Sequence, residues 1–283
     1  LPFPARETLP MRILYASDGS AGALAAARLL CSTALEMTDP VTVLTVRDSG
    51  SEAAGTPFAA ELAALSHCTG QITTESREGH PAETILRAAE EKHAELIVVG
   101  ATGRSGIARF ILGSVAERVA RHAAVPVLVA HPGHEQLERV ILGIDGSPAA
   151  DRAASWLSRF PLPPECEVRV FTALPSAGVG PVTLPTDQPP YLLTLDRLRD
   201  LGRVEARERL ERTAGLLGQA GLRATTELRD AEPATGLLQA ATDEGADLIV
   251  VGSHGHSAVE RFFLGSVSER VLRHAPCSVL IVR

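Results

Sequence analysis

"LIVVGATGRSGIARFILGSVAERVARH", residues 96–122, and "LIVVGSHGHSAVERFFLGSVSERVLRH", residues 248–274, are two versions of one pattern. Each opens on a short apolar run and passes two glycines three residues apart. After nine intervening residues each reaches Gly-Ser at the head of a segment with helical spacing. A strand buried on both faces reads as a continuous apolar run. Strand, glycine-marked loop and helix therefore follow one another, twice in one chain.

The repeat extends outward from this stretch. "MRILYASDGS" (11–20) matches "RVILGIDGSP" (139–148), with Asp18 on Asp145, and "VTVLTV" (41–46) matches "VRVFTA" (168–173). "ITTESREGHP" (72–81) matches "ATTELRDAEP" (224–233) at an offset about 25 residues larger, so the second copy carries an insertion. "PSAGVGPVTLPTDQPPYLL", about 175–193, is rich in Pro and Gly and reads as that inserted loop. A charge run at 197–212 reads as a solvated helix. The expected division is a disordered lead-in over 1–10, a first domain over 11–132 and a second over 138–283, each of ordinary domain size. Strands alternate with helices in both copies, which implies a mostly parallel sheet with helices on both faces.

Composition narrows the function classes. A net charge of -7 argues against nucleic acid and anionic membrane as partners. The apolar runs are far shorter than the roughly 20 residues of a membrane helix. Lys92 is the only lysine, so a lysine-dependent mechanism would have to centre on it. The cysteines, at 31, 68, 166 and 277, form no CxxC pair and are expected as reduced, buried thiols in a cytoplasmic protein. Trp156 is the only tryptophan and is expected in the core or an interface.

In an open α/β sheet, ligands bind beyond the carboxyl ends of the strands. Gly100 and Gly252 close the apolar strands there, where glycine permits positive φ or close approach by a ligand. Gly103 and Gly255 follow at tight-turn spacing. Gly113-Ser114 and Gly265-Ser266 head the next helices, whose free N–H groups suit a phosphate. The serine can cap the helix or meet a phosphate oxygen, and Glu117 or Glu269 three residues on fits a capping box. Neither loop is a Walker A motif, because neither contains lysine. Arg104 and His256 are the loop side chains available to a phosphate. Asp18 and Asp145, in Asp-Gly-Ser after the first strand, are turn or N-cap residues, or acceptors for a ribose hydroxyl. His254 and His256 straddle Gly255, but no Cys stands near them and no metal site is assigned.

These residues resemble the universal stress protein family, in its ATP-binding branch. Asp-Gly-Ser after strand one and G-x2-G-x9-G-S after strand four carry the resemblance, from Met11 onward and twice over. It implies two tandem Rossmann-like domains of the adenine nucleotide alpha hydrolase type. Each would hold a five-stranded parallel sheet in order 3-2-1-4-5, and the two would pack as an intramolecular pseudo-dimer through strands at 126–130 and 278–282. It implies ATP at both carboxyl edges, with Mg or Mn held only through the phosphates. The matching positions are Ala16, Ser17, Asp18, Val46, Gly100, Gly103, Arg104, Gly113, Ser114 and Val115 in copy one. In copy two they are Gly143, Ile144, Asp145, Ala173, Gly252, Gly255, His256, Gly265, Ser266 and Val267. The expected protein is an ATP-holding stress regulator with no catalytic residue assigned, either a homodimer or a pseudo-dimeric monomer. The alternatives are slow ATP hydrolysis, or an interaction protein with a vestigial nucleotide site.

Overall fold

The computed structural model describes residues 10–35, 38–47, 59–103, 112–175, 190–255 and 264–283, with backbone only for 190–199. The first copy contains β1 (Ile13–Ala16), α1 (Ala21–Cys31), β2 (Pro40–Arg47), α2 (Ala59–Leu65) and β3 (Gln71–Glu78). It continues with α3 (Pro81–Glu91), β4 (Leu96–Gly100), α4 (Ser114–His122) and β5 (Val127–Ala130). The second repeats the order: β6 (Arg139–Gly143), α5 (Pro148–Leu157), β7 (Glu167–Leu174), α6 (Pro190–Gln219) and β8 (Arg223–Asp230). It ends with α7 (Pro233–Glu244), β9 (Leu248–Gly252), α8 (Ser266–His274) and β10 (Ser278–Val282).

All ten strands form one sheet, ordered β3-β2-β1-β4-β5-β10-β9-β6-β7-β8. Each half thus has the order 3-2-1-4-5 and is parallel throughout. Among the described residues the single antiparallel pairing is the seam, where Val127, Leu128 and Val129 face Ile281, Leu280 and Val279. Strand direction reverses there, so the carboxyl edges of the two halves lie on opposite rims of the sheet. One apolar layer lies beneath α1, α2, α5 and α6 and contains Tyr15, Leu30, Leu65, Trp156, Phe160 and Leu217. The other lies beneath α3, α4, α7 and α8 and contains Leu14, Ile85, Val119, Phe171 and Val271. Trp156 is a core residue, stacked on Phe160 with ring centroids 4.9 Å apart. The outermost strands β3 and β8 are rich in threonine and charged residues, which discourages pairing with another chain.

Helices α4 and α8 cross the seam side by side and are joined by four ions. Arg121 meets Glu269 at 2.9 Å and Arg273 meets Glu117 at 2.7 Å, while each arginine also bonds the glutamate of its own helix at 3.2 Å. Glu269 is the main cause holding the Arg121 guanidinium above its ordinary value. The expected capping boxes are therefore not formed. The N-caps are Gly113 and Gly265, which have no side chain to cap with; their own N–H groups donate to the Ala101 and Ser253 carbonyls at 2.7 Å, while Glu117 and Glu269 bond guanidinium groups across the seam.

Two other expectations are corrected. Cys31 and Cys68 are joined as a disulfide, Cα atoms 5.3 Å apart, while Cys166 and Cys277 are free and buried. The spacing of 37 residues gave no sign of this; the cysteines meet because α1 and α2 pack together. Helix α6 also begins at Pro190, inside the segment read as loop. Proline is accepted at a first helical position, where no N–H is needed. The rest of that segment, 176–189, and residues 1–9 of the lead-in lie outside the described residues. Among the described residues no helix is long and apolar enough to cross a membrane.

Thiol titration checks the cysteine assignment. Burial pushes the Cys166 and Cys277 thiols up to about 12, so the native chain should react slowly at neutral pH. Unfolded without reductant it should expose two thiols, and after reduction all four cysteines should react. Four thiols without reductant would contradict the pairing. A second expectation concerns His131, buried at the end of β5, whose backbone N–H donates to Ser278 Oγ at 3.0 Å. Burial, with His134 adding, lowers its imidazole from 6.5 to about 4. Across that interval the unfolded chain binds a proton that the folded chain excludes. Stability should fall as pH drops from 6.5 through 4, by up to about 3 kcal/mol. His131→Gln should flatten this loss in denaturation followed by Trp156 fluorescence.

Candidate functional site

Each half opens a cleft at its carboxyl edge. Hydrogen bonds past the strand ends build the floor: Ser17 N–H to the Leu44 carbonyl at 2.9 Å, and Ile144 N–H to the Phe171 carbonyl at 2.9 Å. The next residues turn through glycines with positive φ, Gly19 at 74° and Gly146 at 83°. Asp18 and Asp145 each accept the N–H two residues on, at 3.0 and 2.9 Å, which fixes the carboxylate beside the cleft. Ser20 and Ser147 cap α1 and α5, and each also donates its hydroxyl to the loop after strand four, at Thr102 O and His254 O, both at 3.2 Å. Strand one's turn and strand four's loop are thereby tied together.

The glycines do not serve positive φ; none of the six in the repeated motif has it. They serve close approach. A Cβ on Gly100 would stand 2.6 Å from the Gly22 carbonyl oxygen, and one on Gly252 2.6 Å from that of Ala149. These are backbone clashes with the first turns of α1 and α5. A Cβ on Gly103 or Gly255 would stand 2.9 or 2.8 Å from the carboxylate of Asp18 or Asp145. The first glycine thus seats a helix, and the second leaves room for an aspartate.

The first cleft, of about 310 Å³, gathers Ala16, Ser17, Asp18, Val46, Gly100, Gly103, Gly113, Ser114 and Val115. The second, of about 210 Å³, gathers Gly143, Ile144, Asp145, Ala173, Gly252, Gly255, Gly265, Ser266 and Val267. Arg104 and His256 lie outside the described residues. Sequence reading missed the wall from the third helix of each copy, Pro81 and Ile85 opposite Pro233 and Leu237. The signal was available: a proline at the helix start, immediately after a strand's carboxyl end. It also missed Leu44 and Phe171, and the larger ring narrows the second cleft. Gly143, standing where copy one has Ala16, makes room for Leu237, whose Cδ2 would lie 2.9 Å from a Cβ there.

The mouth of each cleft carries the start of α4 or α8. Because the N-cap is glycine, no side chain among the described residues caps the first-turn N–H groups. The Ser114 and Ser266 hydroxyls form no hydrogen bond among the described residues. Lys92 is remote from both clefts: it ends α3 and pairs with Glu75 at 2.6 Å. Among the described residues no group of three or more His, Cys, Asp or Glu could hold a metal ion.

These features define a tandem Rossmann-like α/β protein with one carboxyl-edge cleft per half. The universal stress protein family model matches residues 11–131 and again 136–283. A universal stress protein of Mycolicibacterium smegmatis is 32% identical over 234 residues, 77% of this chain and 73% of that one. Universal stress protein MJ0531 of Methanocaldococcus jannaschii is 56% identical over 59 residues, 21% of this chain and 35% of its own length. The crystal structure of a universal stress protein from Archaeoglobus fulgidus shares the fold, with a TM-score of 0.63 at 20% identity, covering 96% of this chain and 98% of that one. The chain belongs to the universal stress protein family, as a tandem member.

Alanine substitutions separate the two glycine roles. Gly100→Ala and Gly252→Ala set a methyl against backbone and should destabilise by about 1–3 kcal/mol in chemical denaturation. Gly103→Ala and Gly255→Ala meet a movable carboxylate and should cost under about 1 kcal/mol. Equal losses at all four positions would contradict the assignment.

Proposed function

We propose that the chain is a stress-response regulator that holds ATP at both carboxyl edges. One observation carries this reading. In each cleft, helix N–H groups without a side-chain cap share a wall with an oriented aspartate, across glycines that keep the gap open. The residues suit the parts of an adenine nucleotide. Val46, Ile85 and Leu44 offer an apolar face for the base in the first cleft, and Ala173, Leu237 and Phe171 in the second. Asp18 and Asp145 would accept from ribose hydroxyls. The first turns of α4 and α8, with Ser114 and Ser266, would receive phosphate oxygens. Arg104 and His256 are proposed to assist from the adjoining loops, and Mg or Mn would be held through the phosphates alone.

The reading is a holder rather than a motor. Rapid phosphoryl transfer requires a positioned base and charge stabilisation at the γ-phosphate. The only lysine is bound to Glu75 and does not line either cleft. ATP would act by favouring one conformation or assembly state, through its different affinity for the two.

Calorimetry on the full chain, freed of nucleotide, should detect up to two ATP sites with dissociation constants near micromolar, about -8 kcal/mol. Asp18→Ala and Asp145→Ala should each weaken one of them. Absence of binding at millimolar ATP overturns the reading. Hydrolysis faster than about once per minute and abolished by the aspartate substitutions would make it an enzyme instead.

A further inference from the structure

The loops carrying Asp18 and Asp145 repeat in sequence, but the structure holds them by different means. In the first half, α2 sends Glu61 under the loop. Ser17 Oγ donates to Glu61 Oε1 at 2.8 Å and accepts the Gly19 N–H at 3.1 Å. Glu61 and Ser17 are buried, 2% and 5% exposed. The same corner contains Tyr15, whose phenol is pushed up first by burial, with the Glu61 and Asp18 carboxylates adding to it. Asp18 therefore lines the first cleft, and Glu61 stands behind it, one hydrogen bond away through Ser17.

In the second half this arrangement is absent. Ile144 occupies the place of Ser17, so there is no hydroxyl to bind. Counting back from Leu65 and Leu217, which are equally buried, the position of Glu61 falls on Thr213. The loop is instead held from one helical turn earlier. Arg209 on α6 donates from Nη1 to the Asp145 carbonyl at 2.7 Å. Its guanidinium lies flat over Gly146, where a Cβ would stand 2.8 Å from Nε. Among the described residues no carboxylate forms an ion pair with Arg209, whose guanidinium rests on the loop that carries Asp145. The ribose loop is thus held by an acid in the first half and by a cation in the second.

We propose that Glu61 and Arg209 are the positioning residues of the two clefts, and that their opposite charges make the clefts unequal. The second is the tighter for a polyphosphate nucleotide and the first is the weaker. This rests on the reading of both clefts as adenine nucleotide sites. The physical reason is the sign of the fixed charge. A triphosphate brings several negative charges to a mouth where the aspartate is common to both halves. The anchor then adds repulsion at the first cleft and attraction at the second, and such effects act over several ångströms in a partly desolvated site. Adenosine has no phosphate and would not feel the difference.

The test uses the full chain freed of nucleotide, titrated with ATP and with adenosine at two salt concentrations. Asp18→Ala is used to isolate the second cleft and Asp145→Ala the first. The second cleft should bind ATP about tenfold more tightly than the first, with the gap narrowing as salt is raised. Arg209→Met should weaken ATP at the second cleft about tenfold and leave adenosine within about twofold, while Arg209→Lys should retain most of the ATP affinity. Glu61→Gln, which keeps an acceptor for Ser17, should tighten ATP at the first cleft severalfold. Should Arg209→Met fail to fold, Glu61→Gln decides alone. Equal affinities in the wild type, or ATP and adenosine weakened alike by Arg209→Met, would overturn the inference while leaving the nucleotide reading intact. So would an ATP affinity unchanged or lowered by Glu61→Gln. No binding of either ligand to the wild type would overturn the nucleotide reading instead.

Discussion

Both clefts depend on a contact between two backbones. The first turn of α1 lies directly on the end of β4, backbone on backbone at Gly22 and Gly100, and that of α5 lies on the end of β9, where the Ala149 backbone and methyl meet Gly252. A Cβ at Gly22 would overlap the Thr102 carbonyl, and one at Gly100 would overlap Gly22. Ser20 and Ser147 secure the contact by capping their helices and bonding the loop after strand four. With strand one's turn and strand four's loop held this close, the aspartate of one reaches the second glycine of the other. A packing requirement and a binding requirement thus share one short motif.

The seam shows how a local pattern yields to long-range charge. Glu117 and Glu269 stand where a capping-box acid belongs, and the serine three residues before each completes the signature. In the fold each glutamate bonds an arginine of the other half, 156 and 148 residues away. Because α4 and α8 are antiparallel, the positive end of each dipole also lies near the negative end of the other. The helix starts have no side-chain cap because their N-caps are Gly113 and Gly265.

Much of this was legible in the sequence because it repeats. The element order, the carboxyl-edge placement of Asp18 and Asp145, and the gathering of the motif glycines follow from apolar runs, helical spacing and turn residues. What was not legible depends on partners distant along the chain and outside the repeat. Glu61 meets Ser17 across 44 residues, Arg209 meets Asp145 across 64, and Cys31 meets Cys68 across 37. The purpose of the glycines was half legible: their positions marked the loop, but only coordinates distinguish a left-handed residue from a close approach.

The antiparallel seam has a further consequence for the shape of the molecule. Reversing strand direction once, at β5 and β10, sends the two mouths to opposite rims of the sheet. The two mouths therefore open in opposite directions along the strands. The chain is therefore two-ended, like a coupling rather than a cup, with one carboxyl edge at each rim.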